Sequence, residues 1–155
     1  MTPFEEWARA LPPVGAVVGL DPGTKTIGVA VSDVMRSVAS PLAVVARRKF
    51  TQDAAAIDAA VADRQVVGVV VRLPLNMDDS EGPRVQSARA FARNLARRGG
   101  PPVTMWDERL STVAAERALL ENDLSRAKRA GRIDAVAAGY ILQGALDRLA
   151  NLARG

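Results

Sequence analysis

Three acids stand where apolar segments begin or end, and they are the residues best placed to do chemistry. Asp21 closes the run Val14 to Leu20, Glu108 follows Val103 to Trp106, and Asp134 opens a long helical pattern. In an open α/β sheet, ligands collect beyond the carboxyl ends of parallel strands, where such residues would gather. Three carboxylates close together repel, which raises their affinity for protons unless a cation intervenes. Mg²⁺ or Mn²⁺ suits this set, since hard divalent ions take oxygen ligands and commonly join carboxylates to phosphates. Such a metal could acidify water for phosphodiester cleavage. Each acid also has a plainer reading. Asp21 could cap a hairpin, Glu108 could pair with Arg109, and Asp134 could answer the positive end of a helix. Asp33 and Asp107 read as turn or capping acids.

Cations lie close to the acids in sequence. Lys25 shares the turn Asp21-Pro22-Gly23-Thr24-Lys25-Thr26, so an acid and a base face one small space. Arg126, Lys128, Arg129 and Arg132 come just before Asp134 with no acid among them. A run of this kind is often a solvated face, but beside an acid it can hold a phosphate backbone. Arg89, Arg93 and Arg97 repeat every four residues and form a second basic strip. Arg47-Arg48-Lys49 makes an exposed basic corner. Phe50, Phe91, Trp106 and Tyr140 fall where a core would want them, so no base-stacking platform is visible.

Composition removes several alternatives. The chain has 155 residues with no histidine and no cysteine. A Ser-His-Asp triad, a cysteine nucleophile, a histidine base and a structural zinc site are thereby excluded. Lys and Arg total 21 against 17 Asp and Glu, a net charge of +4, and the sequence pI is about 10.3. No apolar run approaches the roughly 18 residues of a membrane span. With no signal-peptide pattern and no cysteine, the expected location is cytoplasmic.

Periodicity supplies the elements that must position these residues. Thr2-Pro3-Phe4-Glu5 reads as a capping box, opening a short helix with Phe4, Trp7 and Leu11 on one face. Strands are expected over Val14 to Leu20, Ile27 to Ser32, and Leu42 to Ala46 with Pro41 at its start. Thr51 is the expected cap of a helix running to about Asp63. Val66 to Leu73, apolar and β-branched, reads as a buried parallel strand. Pro83 opens a helix with Val85, Ala88, Ala92 and Leu95 inward. Val103 to Trp106 is the fifth strand. A helix capped by Ser111 or Thr112 and a last helix from Ile133 to Ala153 complete the chain. Three strands followed by strand–helix alternation predict a mixed sheet, antiparallel first and parallel later.

The motifs DPGTKTIGVAVSD, LPLNMDDSEG, DERLST and the run from Lys128 to Leu142 resemble the YqgF/RuvX family. That family comprises ribonuclease H-like proteins described as Holliday junction resolvases or pre-16S rRNA nucleases. The resemblance covers Val14 to Leu149. It implies an α/β, RNase H-like domain, a five-stranded mixed sheet flanked by helices, over residues 14–155, with residues 1–13 a helical extension. It implies a metal-dependent nuclease in which Asp21, Glu108 and Asp134 are catalytic and hold Mg²⁺ or Mn²⁺. Lys25, Arg109 and Lys128 match positions of phosphate contact. The implied partner is nucleic acid, structured RNA (a ribosomal precursor) or branched DNA, bound by a monomer or weak homodimer, with no membrane. Thr26 stands where the family commonly has arginine, Arg72 where glycine is usual, and Asp79 replaces a glycine. None of these removes an expected ligand.

The DPGT turn also resembles the first phosphate loop of actin-like ATPases and sugar kinases, but those need two lobes and a second DxG turn, which this chain lacks. A Walker A loop fails because no Gly-Lys step opens a helix. The remaining rival is a nucleic-acid-binding or ribosome-assembly factor with weak or no catalysis.

Overall fold

The computed structural model describes residues 1–74, 82–107, 125 and 132–154. Its strands are β1 (Ala16–Pro22), β2 (Thr26–Ser32), β3 (Ala39–Ala46), β4 (Val66–Arg72) and β5 (Val103–Trp106). Its helices are α1 (Phe4–Ala10), α2 (Phe50–Ala60), α3 (Pro83–Arg97) and α4 (Ile133–Arg154). The strands form one sheet in the order β3-β2-β1-β4-β5. β1 pairs antiparallel with β2, and β2 with β3, while β1–β4 and β4–β5 are parallel. This is the mixed sheet that the order of elements predicts.

Alternation along the strands divides the core into two faces. Val18, Leu20, Ile27, Val29, Val69 and Val71 point to one side, against Ile57 of α2 and Phe91, Ala92 and Leu95 of α3. Val17, Ala30, Val70 and Trp106 point to the other, against Trp7 of α1 and Ala138, Ile141, Leu142 and Ala145 of α4. Both faces of β1 are therefore covered, and all seven of its residues are buried. Such burial explains why this strand reads as a near-continuous apolar run.

Several boundaries differ from the sequence expectation. Thr2 does not cap α1: the N-cap is Pro3, without a side-chain hydrogen bond. The Thr2 backbone instead extends beside β5, donating to the Val103 carbonyl and accepting from the Thr104 hydroxyl at 2.7 Å. Thr51 lies inside α2 and Lys49 is the N-cap; Gln52 Oε1 accepts from the Lys49 amide at 3.4 Å. Asp53, buried in that first turn, accepts from the Arg48 amide at 2.7 Å. β3 begins at Ala39, before Pro41, and the register shifts opposite Val29 and Ala30. A proline is tolerated there because β3 is an edge strand and its ladder is already irregular. The helix expected from Ser111 or Thr112 lies outside the described residues.

The β2–β3 connection is held by its own polar groups. Asp33 Oδ1 accepts from the Ser37 and Val38 amides at 2.8 and 2.9 Å. Arg36 adopts a left-handed φ of 58°, and its guanidinium donates to the Gly15 and Pro12 carbonyls, both at 2.8 Å. Asp33 thus serves a turn, as expected. The Val38 amide, opposed by desolvation and assisted by the Ser37 amide, holds its carboxyl below the ordinary value of 3.8. A lowered native value means that the charged form contributes stability above the unfolded value. That contribution is lost as pH falls through the native value. Asp33→Asn should therefore melt below the wild type at pH 6, and the gap should close towards pH 3. Thermal melts of both proteins across that range check this, and a gap independent of pH would contradict it.

Candidate active site

Asp21 is the sixth residue of β1, not the first of the turn, because the β2 ladder continues through Asp21↔Gly28 and Pro22↔Ile27. The turn proper is Gly23 to Lys25, closed by the Gly23 amide donating to the Thr26 carbonyl at 2.8 Å. Asp21 follows Leu20, so its side chain lies on the α4 side of the sheet with those of Val17 and Ala30. It is only 9% exposed. A carboxylate so placed needs compensation, and Arg72 supplies it: Nη1 lies 3.4 Å from Asp21 Oδ1. The parallel register sets Leu20 beside Val71, so the next residues of the two strands, Asp21 and Arg72, end side by side.

Asp134 reaches the same corner from α4. The helix sits on the sheet where glycines leave room. A Cβ on Gly28 would stand 1.9 Å from the Asp134 carbonyl oxygen, and one on Gly19 would stand 2.7 Å from Leu142 Cβ. The Asp134 backbone therefore lies directly over the residue paired with Asp21. Its carboxylate accepts a hydrogen bond from the Thr26 hydroxyl, which fixes it to the start of β2. As an acid in the first turn, Asp134 also meets the positive end of the helix dipole.

Two of the three expected acids are thus brought together. Glu108 lies outside the described residues, as do Arg109, Arg126, Lys128 and Arg129. Among the described residues no group of three acids could hold a metal ion. Lys25 is exposed at the turn, and the guanidinium beside Asp21 belongs to Arg72. Arg132 is exposed, with Nη2 3.4 Å from the Pro41 carbonyl. On α3, Arg93 and Arg97 are exposed and Arg89 is half-buried.

Sequence reasoning missed Arg72 and Thr26 as members of the site, marking both only as departures from a family pattern. The available signal was positional. A cation ending an apolar strand next to one that ends in an acid will meet it if the two strands are parallel neighbours. The oxygen donors at this corner, two carboxylates and a hydroxyl, fit a hard divalent cation and offer nothing to a soft one.

Gly28→Ala tests how the corner is built. A backbone carbonyl cannot move aside like a flexible side chain, so α4 must shift. The expected cost is about 1–3 kcal/mol. Chemical denaturation measures that cost, and an unchanged midpoint would show that α4 does not bear on Gly28.

Comparison with known proteins places this geometry. The family profile RuvX, described as Holliday junction resolvase, matches residues 15–148. A protein of Paracoccus denitrificans named "Putative pre-16S rRNA nuclease" is 69% identical over 150 residues, covering 97% of this chain and 95% of that one. The RuvC structure of Thermus thermophilus superposes with a TM-score of 0.56 at 16% identity, covering 87% of this chain and 96% of the other. The yeast mitochondrial Holliday junction resolvase gives 0.57 at 11% identity, with 97% and 86% covered. At such identities the likeness speaks for the fold, which is RNase H-like. The sequence matches go further: this chain belongs to the RuvX family.

Proposed function

We propose that this protein is a divalent-metal-dependent nuclease that hydrolyses phosphodiester bonds in structured nucleic acid. Its leading substrate is the 5′ region of precursor 16S rRNA, with the four-way DNA junction as the alternative. The observation that carries this reading is the meeting of Asp21 and Asp134 at one corner, with Asp134 seated over Gly28, the residue paired with Asp21. The family and the name of the Paracoccus relative support the reaction class and the two substrates.

In this proposal Asp21, Asp134 and Glu108 hold Mg²⁺ or Mn²⁺. The bound ion supplies Lewis acidity at the phosphate and acidifies water. The chain's own groups orient and neutralise. Thr26 fixes the Asp134 carboxylate, so that oxygen enters the site already aimed. Arg72 lies beside Asp21 and can pass to a phosphate oxygen when the substrate arrives. Lys25, Arg109, Arg126, Lys128, Arg129 and Arg132 would hold the strand through its phosphates, without reading bases.

One observation favours the binding-factor reading: the Asp21 charge is already met by Arg72 without a metal. Cleavage decides between the two. Purified protein is incubated with a precursor-rRNA 5′ fragment and with a four-way junction, in Mg²⁺, Mn²⁺ or EDTA. Cleavage of one substrate in metal, lost in EDTA, is expected. Altering groups that merely support a metal ligand costs 10- to 100-fold, so Asp21→Asn should cost at least roughly 100-fold. Cleavage that survives EDTA, or Asp21→Asn as active as wild type, would reject the metal site. Binding without any cleavage would establish the binding factor.

Arg72 provides a separate check. Its guanidinium competes with a divalent cation for Asp21, so Arg72→Gly should tighten Mn²⁺ binding. The pair is mostly buried, so surface-pair magnitudes are a lower bound and the gain should be at least about twofold. Calorimetry reads it directly, and weaker binding in the variant would mean that Arg72 organises the site.

A further inference from the structure

A cleft of about 220 Å³ lies where the β1–β2 turn, the residue after β3 and the first turn of α3 meet. Its walls include Pro22, Gly23, Thr24, Arg47, Arg84 and Ser87. Two guanidinium-bearing residues and two hydroxyl residues line it, and no acid does so among the described residues. The first turn of α3 itself carries no acid, so the helix's own residues there leave the positive end of its dipole unopposed.

Arg47 is built into this place. Its Nη1 donates to the Gly23 carbonyl at 2.6 Å, and its amide donates to the Lys25 carbonyl at 2.9 Å. Its guanidinium carbon lies 5.6 Å from the centre of the Phe91 ring, which itself packs edge-on against Phe50 at 5.6 Å. One cation is therefore fixed at the wall, and Arg84, exposed on the first turn of α3, is a second lining cation. Two arginines, one of them fixed, and two hydroxyls suit the oxygens of a phosphate.

We propose that this cleft is a phosphate subsite, occupied by a phosphodiester of the nucleic-acid strand that neighbours the one at Asp21. The assignment rests on the nucleic-acid reading above and extends it to the opposite side of the β1–β2 turn. Pro22, part of the wall, directly follows Asp21. A strand lying across the turn can thus present one phosphate to the acids and another to Arg47 and Arg84. This gives the basic corner after β3 a role outside the run that precedes Asp134.

The test measures binding in EDTA, so that its outcome does not depend on cleavage. Fluorescence anisotropy with single-stranded RNA is recorded over a range of salt for wild type, Arg84→Ala, Ser87→Asp and Arg9→Ala. Arg84 and Ser87 are exposed, and Arg9 is an exposed arginine on α1, remote in sequence from the cleft. Loss of one phosphate contact should lower the salt slope of Arg84→Ala by about one, for all sequences alike. Ser87→Asp should weaken binding in the same sense by repulsion, while Arg9→Ala matches wild type. Inorganic phosphate should shift the Gly23 and Thr24 amide resonances in wild type and not in Arg84→Ala. An Arg84→Ala slope equal to wild type, or an equal loss in Arg9→Ala, overturns the subsite and leaves the nuclease proposal standing. Phosphate shifts that persist while wild type binds no RNA identify a site for free phosphate and overturn the strand assignment.

Discussion

A helix usually stands off a sheet by the depth of the side chains between them, and α4 does not. At Gly28 the sheet offers no side chain, and the Asp134 carbonyl occupies the space a Cβ would need. At Gly19 the same closeness brings Leu142 onto the β1 backbone. The residues α4 turns inward are correspondingly small, with Ala135, Ala138 and Ala145 fully buried. This contact decides where Asp134 sits. A helix raised by one methyl layer would carry Asp134 away from Thr26 and from the end of β1. The corner containing Asp21 and Asp134 is thus a consequence of backbone proximity, and the two glycines set its dimensions.

The remaining architecture follows from the same requirement. β1 lies between β2 and β4, with α2 and α3 covering one face of the sheet and α1 and α4 the other. Its carboxyl end cannot drift, because antiparallel bonds to β2 hold one side and the parallel ladder to β4 holds the other. α1 adds to this rigidity. Trp7 is wholly buried beside Val70 and Trp106, and its indole Nε1 donates to the Pro102 carbonyl at 2.9 Å. The segment preceding the motif-bearing region therefore contributes to the core beneath the site.

Elements defined by long apolar periodicity were legible in the sequence. β4, β5, α3 and α4 start where their patterns start, since burial on a fixed face leaves a regular trace. Ends governed by a single polar contact were not. Thr2 and Thr51 have the side chains of helix caps, yet each was outcompeted: Thr2 by pairing along β5, and Thr51 by a helix that starts at Phe50, two residues earlier than a Thr51 cap requires. The candidate site divides along the same line. Asp21 and Asp134 could be chosen because each marks the end of an apolar pattern. Arg72 and Thr26 act through register and helix docking, and neither relation is encoded within a window of adjacent residues.

Charge balance explains why those two residues matter together. An acid buried to the extent of Asp21 is costly unless a cation or hydrogen-bond donors meet it. In this chain each of the two described acids has such a partner: a guanidinium for Asp21 and a hydroxyl for Asp134. The partners differ in kind. The Thr26 hydroxyl leaves the charge of Asp134 in place and spends one lone pair, so it orients that acid without satisfying it. Arg72 meets the charge of Asp21 itself, so any second cation must displace or share that contact. The corner can therefore fold in the absence of an ion without an uncompensated buried carboxylate. An incoming cation would still find one acid pre-aimed and the other held by a side chain with a phosphate oxygen as its natural alternative partner. Under the proposed function, a single set of contacts would serve both the stability of the corner and the exchange of partners that binding a phosphate requires.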